Sequence, residues 1–228
     1  MSFYLQIPNA THPLQMDAAI FDMDGLLVDS EGLATEAWRI ILARYHIPLR
    51  QEDIDALFGM RIIDDARLFV AQYGIPQTPE DLVSERRIVM EELLRQSLKP
   101  MPGAIELVQA LSAHSVPLAL ATSGAQSHAE LCLSLTGLSA FFPLRVTGDQ
   151  VEHGKPAPDI FFMAAKLLGV APEQCLVFED APHGAVAGMA AGSSVVCVPC
   201  EHTAKLQFPP VTITTRSLLD ALAMISFA

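Results

Sequence analysis

Five short apolar runs recur along the chain, and each ends at turn or polar residues. They are Ala18–Phe21, Leu118–Ala121, Leu144–Thr147, Leu176–Phe178 and Val195–Val198. Short apolar runs bounded in this way are typical of buried strands. The pattern therefore predicts a buried β-strand at each of these positions.

Helical patterns separate these strands. The clearest are Ala104–His114, Ile160–Leu168 followed by Gly169, and Ala185–Ala191 followed by Gly192. Glycine directly after an amphipathic segment favours a helix end. Because strands and helices alternate, we expect an α/β fold: a Rossmann-like parallel sheet covered by helices, with ligand sites beyond the carboxyl ends of its strands.

The connection between the first two predicted strands is too long for a single crossover helix. The first strand ends near Asp22 and the second begins near Pro117, whereas one crossover needs little more than a dozen residues. The helix at Ala104–His114 already supplies the crossover. We therefore expect a catalytic core of residues 1–30 and 100–228 and a small helical cap domain, residues 31–99, inserted after the first strand.

The inserted segment is predicted to be helical throughout. Thr78 with Pro79 forms a strong helix start, an N-cap residue followed by proline at the first helical position. The predicted helices are Leu33–His46, Asp53–Phe58, Asp64–Tyr73 and Pro79–Leu98. A helical bundle inserted directly after the first strand is expected to lie over the strand ends, where a lid belongs.

Composition narrows the classes of partner. The chain has 228 residues, 51% of them hydrophobic, which is ample for a packed core. Its 14 basic and 26 acidic residues give a net charge of −12, which argues against binding nucleic acid through its phosphates. An anionic ligand would need local positive charge from a metal ion and a few placed basic side chains. No obligate protein partner is evident.

The chain shows no apolar run of about eighteen residues, so we expect no membrane span. Its four cysteines are too few and too irregularly spaced for a disulfide framework, and a cytoplasmic location is expected. Cys197 and Cys200 form a lone CxxC pair. A zinc site would need two further ligands, and nothing near the pair in sequence supplies them.

Two carboxylates, Asp22 and Asp24, follow the first predicted strand, with Gly25 directly behind them. Buried carboxylates without a partner are costly, and a hard divalent cation such as Mg²⁺ would favour their ionised forms. Gly25 permits a tight backbone turn there. The alternative interpretation is an ordinary polar loop with a turn glycine.

Glu179 and Asp180 follow another predicted strand. Acidic residues also suit helix starts, so this pair could simply cap the next helix. Together with the first cluster, it would complete the carboxylate set that a Mg²⁺ site needs.

Hydroxyl and basic groups follow two further strands. Thr122 and Ser123 come at a strand end, where hydroxyls can bind phosphate oxygens, although alone they are a weak signal. Lys155 lies in the proline-stiffened segment GKPAPD before a predicted helix. A solvated surface lysine is the alternative, but at the sheet edge this cation could neutralise a phosphate and a nucleophilic carboxylate.

Together, the segments DMDGLLVDS, LATSG, GKPAPD and VFEDA resemble the motifs of the haloacid dehalogenase superfamily of phosphotransferases, and the resemblance covers the whole chain. It implies that Asp22 is a nucleophile that forms an aspartyl-phosphate, and that Asp24 is the general acid and then base. It further implies that Thr122, Ser123 and Lys155 hold the phosphoryl oxygens. Asp22, the carbonyl of Asp24 and Asp180 would bind Mg²⁺, with Glu179 as a further or outer contact.

An acid two residues after the nucleophile resembles the phosphatases and phosphomutases of the superfamily. The chain is most similar to the group that contains β-phosphoglucomutase, sugar phosphatases and pseudouridine-5′-phosphatase, which implies a Mg²⁺-dependent phosphatase acting on sugar or nucleoside monophosphates. A sugar phosphomutase is the first alternative, but the mutase carries a cap histidine where this chain has Ala34. A non-catalytic binding protein on the same fold is the second.

Three residues outside these motifs raise further hypotheses. Arg61, in a glycine-marked turn between cap helices, is the candidate for gripping the distal part of the substrate; a salt bridge to Asp64 or Asp65 is the alternative. Trp38 is interpreted as cap core. His183 is interpreted as a solvated residue near a helix start.

Overall fold

The computed structural model describes residues 2–8, 10–57 and 62–227. Contacts divide the chain into two compact units, one formed by Met1–Asp29 with Lys99–Ala228 and the other by Ser30–Leu98.

The strands, in chain order, are β1 (Phe3–Leu5), β2 (Leu14–Met16), β3 (Ala18–Phe21), β4 (Leu118–Thr122), β5 (Leu144–Thr147), β6 (Cys175–Glu179), β7 (Ser194–Cys197), β8 (Ile213–Thr214) and β9 (Ile225–Phe227). The helices are α1 (Glu31–Arg44), α2 (Gln51–Leu57), α3 (Ile62–Tyr73), α4 (Pro79–Ser97), α5 (Ala104–Ala113), α6 (Gln126–Leu135), α7 (Asp159–Leu168), α8 (Pro182–Ala190) and α9 (Leu218–Ala223).

The first unit is built on a parallel six-stranded sheet in the order β5-β4-β3-β6-β7-β8. Every residue of β3, β4 and β6 is buried, as expected for central strands covered on both faces. The strand order reverses between β3 and β6, and sheets of this type bind ligands at the carboxyl ends of the strands beside such a reversal. The predicted α/β fold with a parallel sheet and a helical insertion is confirmed.

Both faces of the sheet pack tightly. On one face, Ile20 and Val177 belong to an apolar core that includes Phe161 and Ala164 of α7. On the other face, the ring of Phe21 stacks on Phe178 with centroids 4.7 Å apart. Successive residues of a strand point to opposite faces. Each apolar run predicted from the sequence therefore contributes side chains to the cores on both faces of the sheet.

Several elements of this unit were not predicted by the hydrophobic pattern. Helix α6 buries only Ala129, Cys132 and Leu133, and no side chain caps its start, so its amphipathic signal is weak. Strands β1, β2 and β9 form a separate antiparallel sheet. Its pairing joins Phe3 to Phe227 across nearly the whole chain, a contact that no local pattern can reveal. None of the described helices is both long and apolar enough to span a bilayer.

The second unit consists of α1 to α4. Thr78 caps α4 as predicted, because its hydroxyl accepts a hydrogen bond from the Asp81 N–H at 3.1 Å. Trp38 is buried and meets Phe69 edge to face with ring centroids 5.1 Å apart. The prediction that Trp38 is core is confirmed. The roles of the two units as catalytic core and cap stay predictions.

Asp65 is a buried carboxyl within the helical unit, and its stability contribution should depend on pH. Burial raises the pKa of Asp65 from 3.8 to about 6. A hydrogen bond from Trp38 and the positive charge of Arg86 lower this pKa, but their effect is smaller than that of burial. Because the native-state pKa is raised, Asp65 favours the folded state more as the pH falls through about 6. Asp65→Asn cannot titrate. Acidification from about pH 7 to about pH 4 should therefore stabilise the wild type relative to this variant by about 2 kcal/mol after solvent screening.

The measurement is chemical unfolding of both proteins at several pH values. Glu91→Gln on α4 is the control, since Glu91 is half-exposed and pairs with Arg87 at 3.8 Å. Its difference from the wild type is the reference with which the pH trend of Asp65→Asn is compared. A constant difference for Asp65→Asn would contradict the prediction.

Candidate active site

The nucleophile candidate lies at the point where the strand order reverses. Asp22 follows β3, and its N–H donates to the carbonyl of Phe178 in β6 at 3.0 Å. Residues Phe21 and Phe178 are paired in register. Glu179 and Asp180, which follow Phe178, therefore meet Asp22 at one edge of the sheet. Two strands distant in sequence create this cluster because they are neighbours in the sheet.

Lys155 connects the acidic groups. Its Nζ donates to Asp22 Oδ1 at 2.6 Å, to Glu179 Oε1 at 2.7 Å and to the carbonyl of Ala121 at 3.0 Å. The lysine side chain is only 6% exposed. Burial by itself would lower the pKa of Lys155, but the carboxylates of Asp22 and Glu179 raise it above its ordinary value. The ammonium therefore stays charged, and the interpretation of Lys155 as a solvated surface lysine is wrong.

Glu179 orients Lys155 and the following loop. While Oε1 accepts from Lys155, Oε2 accepts from the N–H groups of Asp180 at 3.0 Å and Ala181 at 3.1 Å. A Cβ on Gly184 would overlap this carboxylate, so only glycine fits at that position of α8. With both oxygens engaged by the protein, the arrangement favours an outer role for Glu179 over direct metal ligation.

The acidic group formed by Asp22, Glu179 and Asp180 could hold a cation. Their oxygens lie within 4.8 Å of one another, all three residues are buried, and Lys155 is the ammonium that bridges two of them. Burial, together with the neighbouring carboxylates, raises the pKa of Asp22 to about 8 and raises that of Asp180, although Lys155 opposes the shift at Asp22. This unbalanced negative charge fits a hard divalent cation with oxygen ligands.

The Asp180 carboxylate is held by hydrogen bonds from the segment that follows β7. Its Oδ2 accepts hydrogen bonds from the Cys200 thiol at 3.3 Å and the Thr203 hydroxyl at 3.4 Å. Gly25 has φ +80°, and a Cβ there would overlap the Asp180 carboxylate. Gly25 thus provides both the turn after Asp24 and the room for Asp180, which extends the turn role expected from the sequence.

Asp24 lies between the side chains of Thr122, the last residue of β4, and His128 of α6. Its Oδ1 is 2.9 Å from His128 Nε2, and its Oδ2 is 3.5 Å from the Thr122 hydroxyl. Thr122 is buried, and its oxygen also accepts the N–H of Gly124 at 3.1 Å. The carboxylate of Asp24 raises the pKa of His128 to about 11 against the effect of burial, so His128 is a cation near neutral pH.

The sequence of this chain matches the family model of haloacid dehalogenase-like hydrolases over residues 16–192, which is most of the chain. The chain belongs to the haloacid dehalogenase-like hydrolase family. The matched range contains every motif residue that the sequence analysis selected, from Asp22 to Asp180. The predicted membership is confirmed.

The curated relatives of this hydrolase include proteins that are named as phosphatases. It is 38% identical to a probable pseudouridine-5′-phosphatase of Drosophila melanogaster, over 88% of this chain and 89% of that protein. It is 36% identical to the fructose-1-phosphate phosphatase YqaB of Escherichia coli, over 78% of this chain and 94% of that protein. These relatives confirm the phosphatase class expected from the sequence.

A solved structure shows that the fold is shared more widely. A β-phosphoglucomutase from Clostridium difficile superposes with a TM-score of 0.74 at 21% identity, covering 90% of this hydrolase and 92% of that chain. At this identity the likeness establishes the fold alone. The fold therefore does not separate phosphatase from mutase.

The remaining candidates lie outside the cluster or outside the described residues. Ser123 is exposed directly after Thr122. His183 is exposed in the first turn of α8, as expected. Arg61 falls between the described ranges, so the hypothesis about its role is not addressed. In the described part of the chain, no metal-ligating group includes Cys197, whose thiol has its pKa raised to about 12 by burial.

His128 is the site residue that the sequence analysis missed. It lies in α6, a helix that the hydrophobic pattern did not predict. Its sequence signal was its position: it comes six residues after Thr122, in the first turn of a helix that begins just beyond a strand end.

Proposed function

We propose that this hydrolase releases phosphate from small phosphomonoesters through an aspartyl-phosphate formed on Asp22, with Mg²⁺ as cofactor. The observation that carries the proposal is the buried Lys155 ammonium, which holds Asp22 Oδ1 at 2.6 Å beside Asp180 and Glu179. The ammonium fixes the direction of this carboxylate at a ligand-binding sheet edge and favours its ionised form, which is the form that attacks phosphorus.

In the first step, a carboxylate oxygen of Asp22 attacks phosphorus and the bond from phosphorus to the leaving oxygen breaks. An alkoxide is a poor leaving group, so Asp24, which must enter this step protonated, donates its proton to that oxygen. Lys155, Thr122 and Ser123 are proposed to bind the phosphoryl oxygens and to stabilise the negative charge that they carry in the transition state.

In the second step, water attacks the phosphorus of the aspartyl-phosphate. Asp24, now ionised, accepts a proton from that water, and the bond from phosphorus to Asp22 breaks to release phosphate. The proposed Mg²⁺ ligands are Asp22, the backbone carbonyl of Asp24 and Asp180, with Glu179 as an outer contact. The ion supplies charge neutralisation between carboxylate and phosphate when it is bound.

The proposed substrates are sugar or nucleoside monophosphates, such as hexose or hexitol phosphates and pseudouridine 5′-phosphate. The two relatives described above are named for pseudouridine 5′-phosphate and fructose 1-phosphate, which are phosphates of these kinds. We propose that the helical unit Ser30–Leu98 acts as the cap and selects the leaving alcohol. The four free, buried cysteines suit a reducing compartment, so we extend the proposal to the cytoplasm.

A sugar phosphomutase is the alternative within the family. A mutase must retain its phosphoryl group for transfer back to a sugar, and the resemblance places a cap histidine in that enzyme where this chain has Ala34. A non-catalytic binding protein is the alternative of another class. The complete set of Asp22, Asp24, Thr122, Lys155 and Asp180 argues against it, since a binding protein has no need of an acid beside a nucleophile.

The test is phosphate release by the purified, Mg²⁺-loaded protein across a panel of phosphomonoesters. We expect release from sugar or nucleoside monophosphates, and its loss when a chelator removes Mg²⁺ and its return when the ion is restored. Isomerised sugar phosphate with little free phosphate would indicate the mutase instead. No turnover of any kind would overturn the proposed function, and unchanged turnover with chelator would overturn the metal assignment.

A further inference from the structure

The two oxygens of Asp24 have different surroundings. Oδ1 is 2.9 Å from His128 Nε2, whereas Oδ2 is 3.5 Å from the hydroxyl of Thr122, a proposed phosphate-binding group. A carboxylate that exchanges a proton with a substrate must present one oxygen in a fixed direction. His128 contacts one oxygen of Asp24, and the Thr122 hydroxyl contacts the other.

His128 is itself held in place. It lies in the first turn of α6, and its ring contacts the sulfur of Cys132 one helical turn later, with Sγ 3.7 Å from Nε2 and 3.9 Å from Nδ1. Cys132 is fully buried. A Cβ on Gly124 would come within 3.0 Å of the imidazole Cδ2, so glycine leaves room for the ring. The helix, the cysteine and the glycine together restrict the imidazole to an orientation that faces Asp24.

We propose that His128 is a positioning residue for Asp24: its Nε2–H holds Oδ1 and leaves Oδ2, on the Thr122 side, to exchange the proton. The inference rests on the proposed function, because it assigns a partner to the proposed general acid and base. His128 touches neither phosphorus nor the leaving oxygen in this scheme. It acts through the direction of the Asp24 carboxylate alone.

This role has a consequence that a merely structural histidine would not produce. Protonation of the leaving oxygen matters for an alkyl phosphate but little for p-nitrophenyl phosphate, whose leaving group is stable as an anion. The ratio kcat/KM covers the steps up to the first irreversible bond cleavage, here departure of the leaving group. Loss of His128 should therefore lower kcat/KM selectively for the alkyl substrate.

The experiment compares His128→Leu, His128→Gln and the wild type on both substrates. For His128→Leu we expect kcat/KM to fall about 10- to 100-fold with an alkyl phosphomonoester. With p-nitrophenyl phosphate it should change less than about threefold. The side-chain amide of glutamine can still donate to Oδ1, so His128→Gln should recover part of the loss. Glu130→Gln, an exposed change on the same helix, is the matched control and should alter neither value.

The outcomes separate this inference from the proposed function. Suppose that the wild type is active and the His128 variants lose activity equally on both substrates, lose none or gain some. Any of these results would overturn the positioning role alone. A wild type that turns over no phosphomonoester would overturn the proposed function and the inference with it. Thermal melts accompany the kinetics; if His128→Leu melts early, the comparison is made on His128→Gln.

Discussion

Replacing Asp22 with Asn is expected to lower phosphate release by roughly 10⁴-fold or more, because an amide cannot act as the nucleophile. The fold should survive the change. Burial raises the pKa of Asp22 to about 8, so a neutral side chain of the same shape suits the site near neutral pH. We therefore expect a folded, inactive protein, measured by phosphate release alongside thermal melting.

Asp17→Asn is the matched control for this prediction. Asp17 lies just before β3, at the opposite end of the strand from Asp22, and accepts hydrogen bonds from Ser2 and Gln174. Its replacement should leave turnover close to that of the wild type. A mass spectrum of the rapidly quenched wild type should show one phosphoryl group on the peptide that contains Asp22. Substantial turnover by Asp22→Asn would contradict the assignment of the nucleophile.

Replacing Lys155 with Met should reduce both stability and activity. The methionine keeps the length of the side chain but leaves Asp22 and Glu179 without their shared cation. Breaking a buried ion pair by removing one partner costs about 3–5 kcal/mol. Loss of the proposed phosphate-binding cation should further lower kcat about 10²- to 10³-fold.

The pH dependence of this variant has a definite sign. Lys155 lowers the pKa of Asp22, so its loss raises that pKa further above its ordinary value. A group with a raised native-state pKa favours the folded state at low pH, and this advantage disappears as the pH rises through that pKa. Below the wild-type pKa of about 8, Asp22 is protonated in both native proteins, so the stability deficit of Lys155→Met should stay nearly constant there and should grow as the pH rises through about 8.

Denaturant unfolding at several pH values, with Lys166→Met as control, checks this prediction. Lys166 is exposed on α7, and its replacement should change little. Lys155→Arg keeps the charge but not the compact ammonium geometry, so it should be more stable than Lys155→Met and still poorly active. Equal stability of Lys155→Met and the wild type at neutral pH would show that the buried cation has no structural role.

The sequence alone was sufficient for the fold class and for most of the cluster. Apolar runs followed by polar residues located β3, β4 and β6, because strands buried on both faces allow few other side chains. The residues after these runs were then the candidates for chemistry, since parallel strands place their carboxyl ends at one edge. On this basis Asp22, Thr122 and Glu179 were predicted to meet.

Only the tertiary structure decided how these residues are connected. The bridge from Lys155 to Asp22 and Glu179 depends on the path of a loop. The contact of His128 with Asp24 depends on a helix that buries only three residues and that the hydrophobic pattern did not predict. Hydrophobic periodicity reports burial, which is set by the neighbours of a strand or helix as a whole. A hydrogen bond of 2.6 to 2.9 Å depends on the direction of single side chains from distant segments, and periodicity carries no information about that direction.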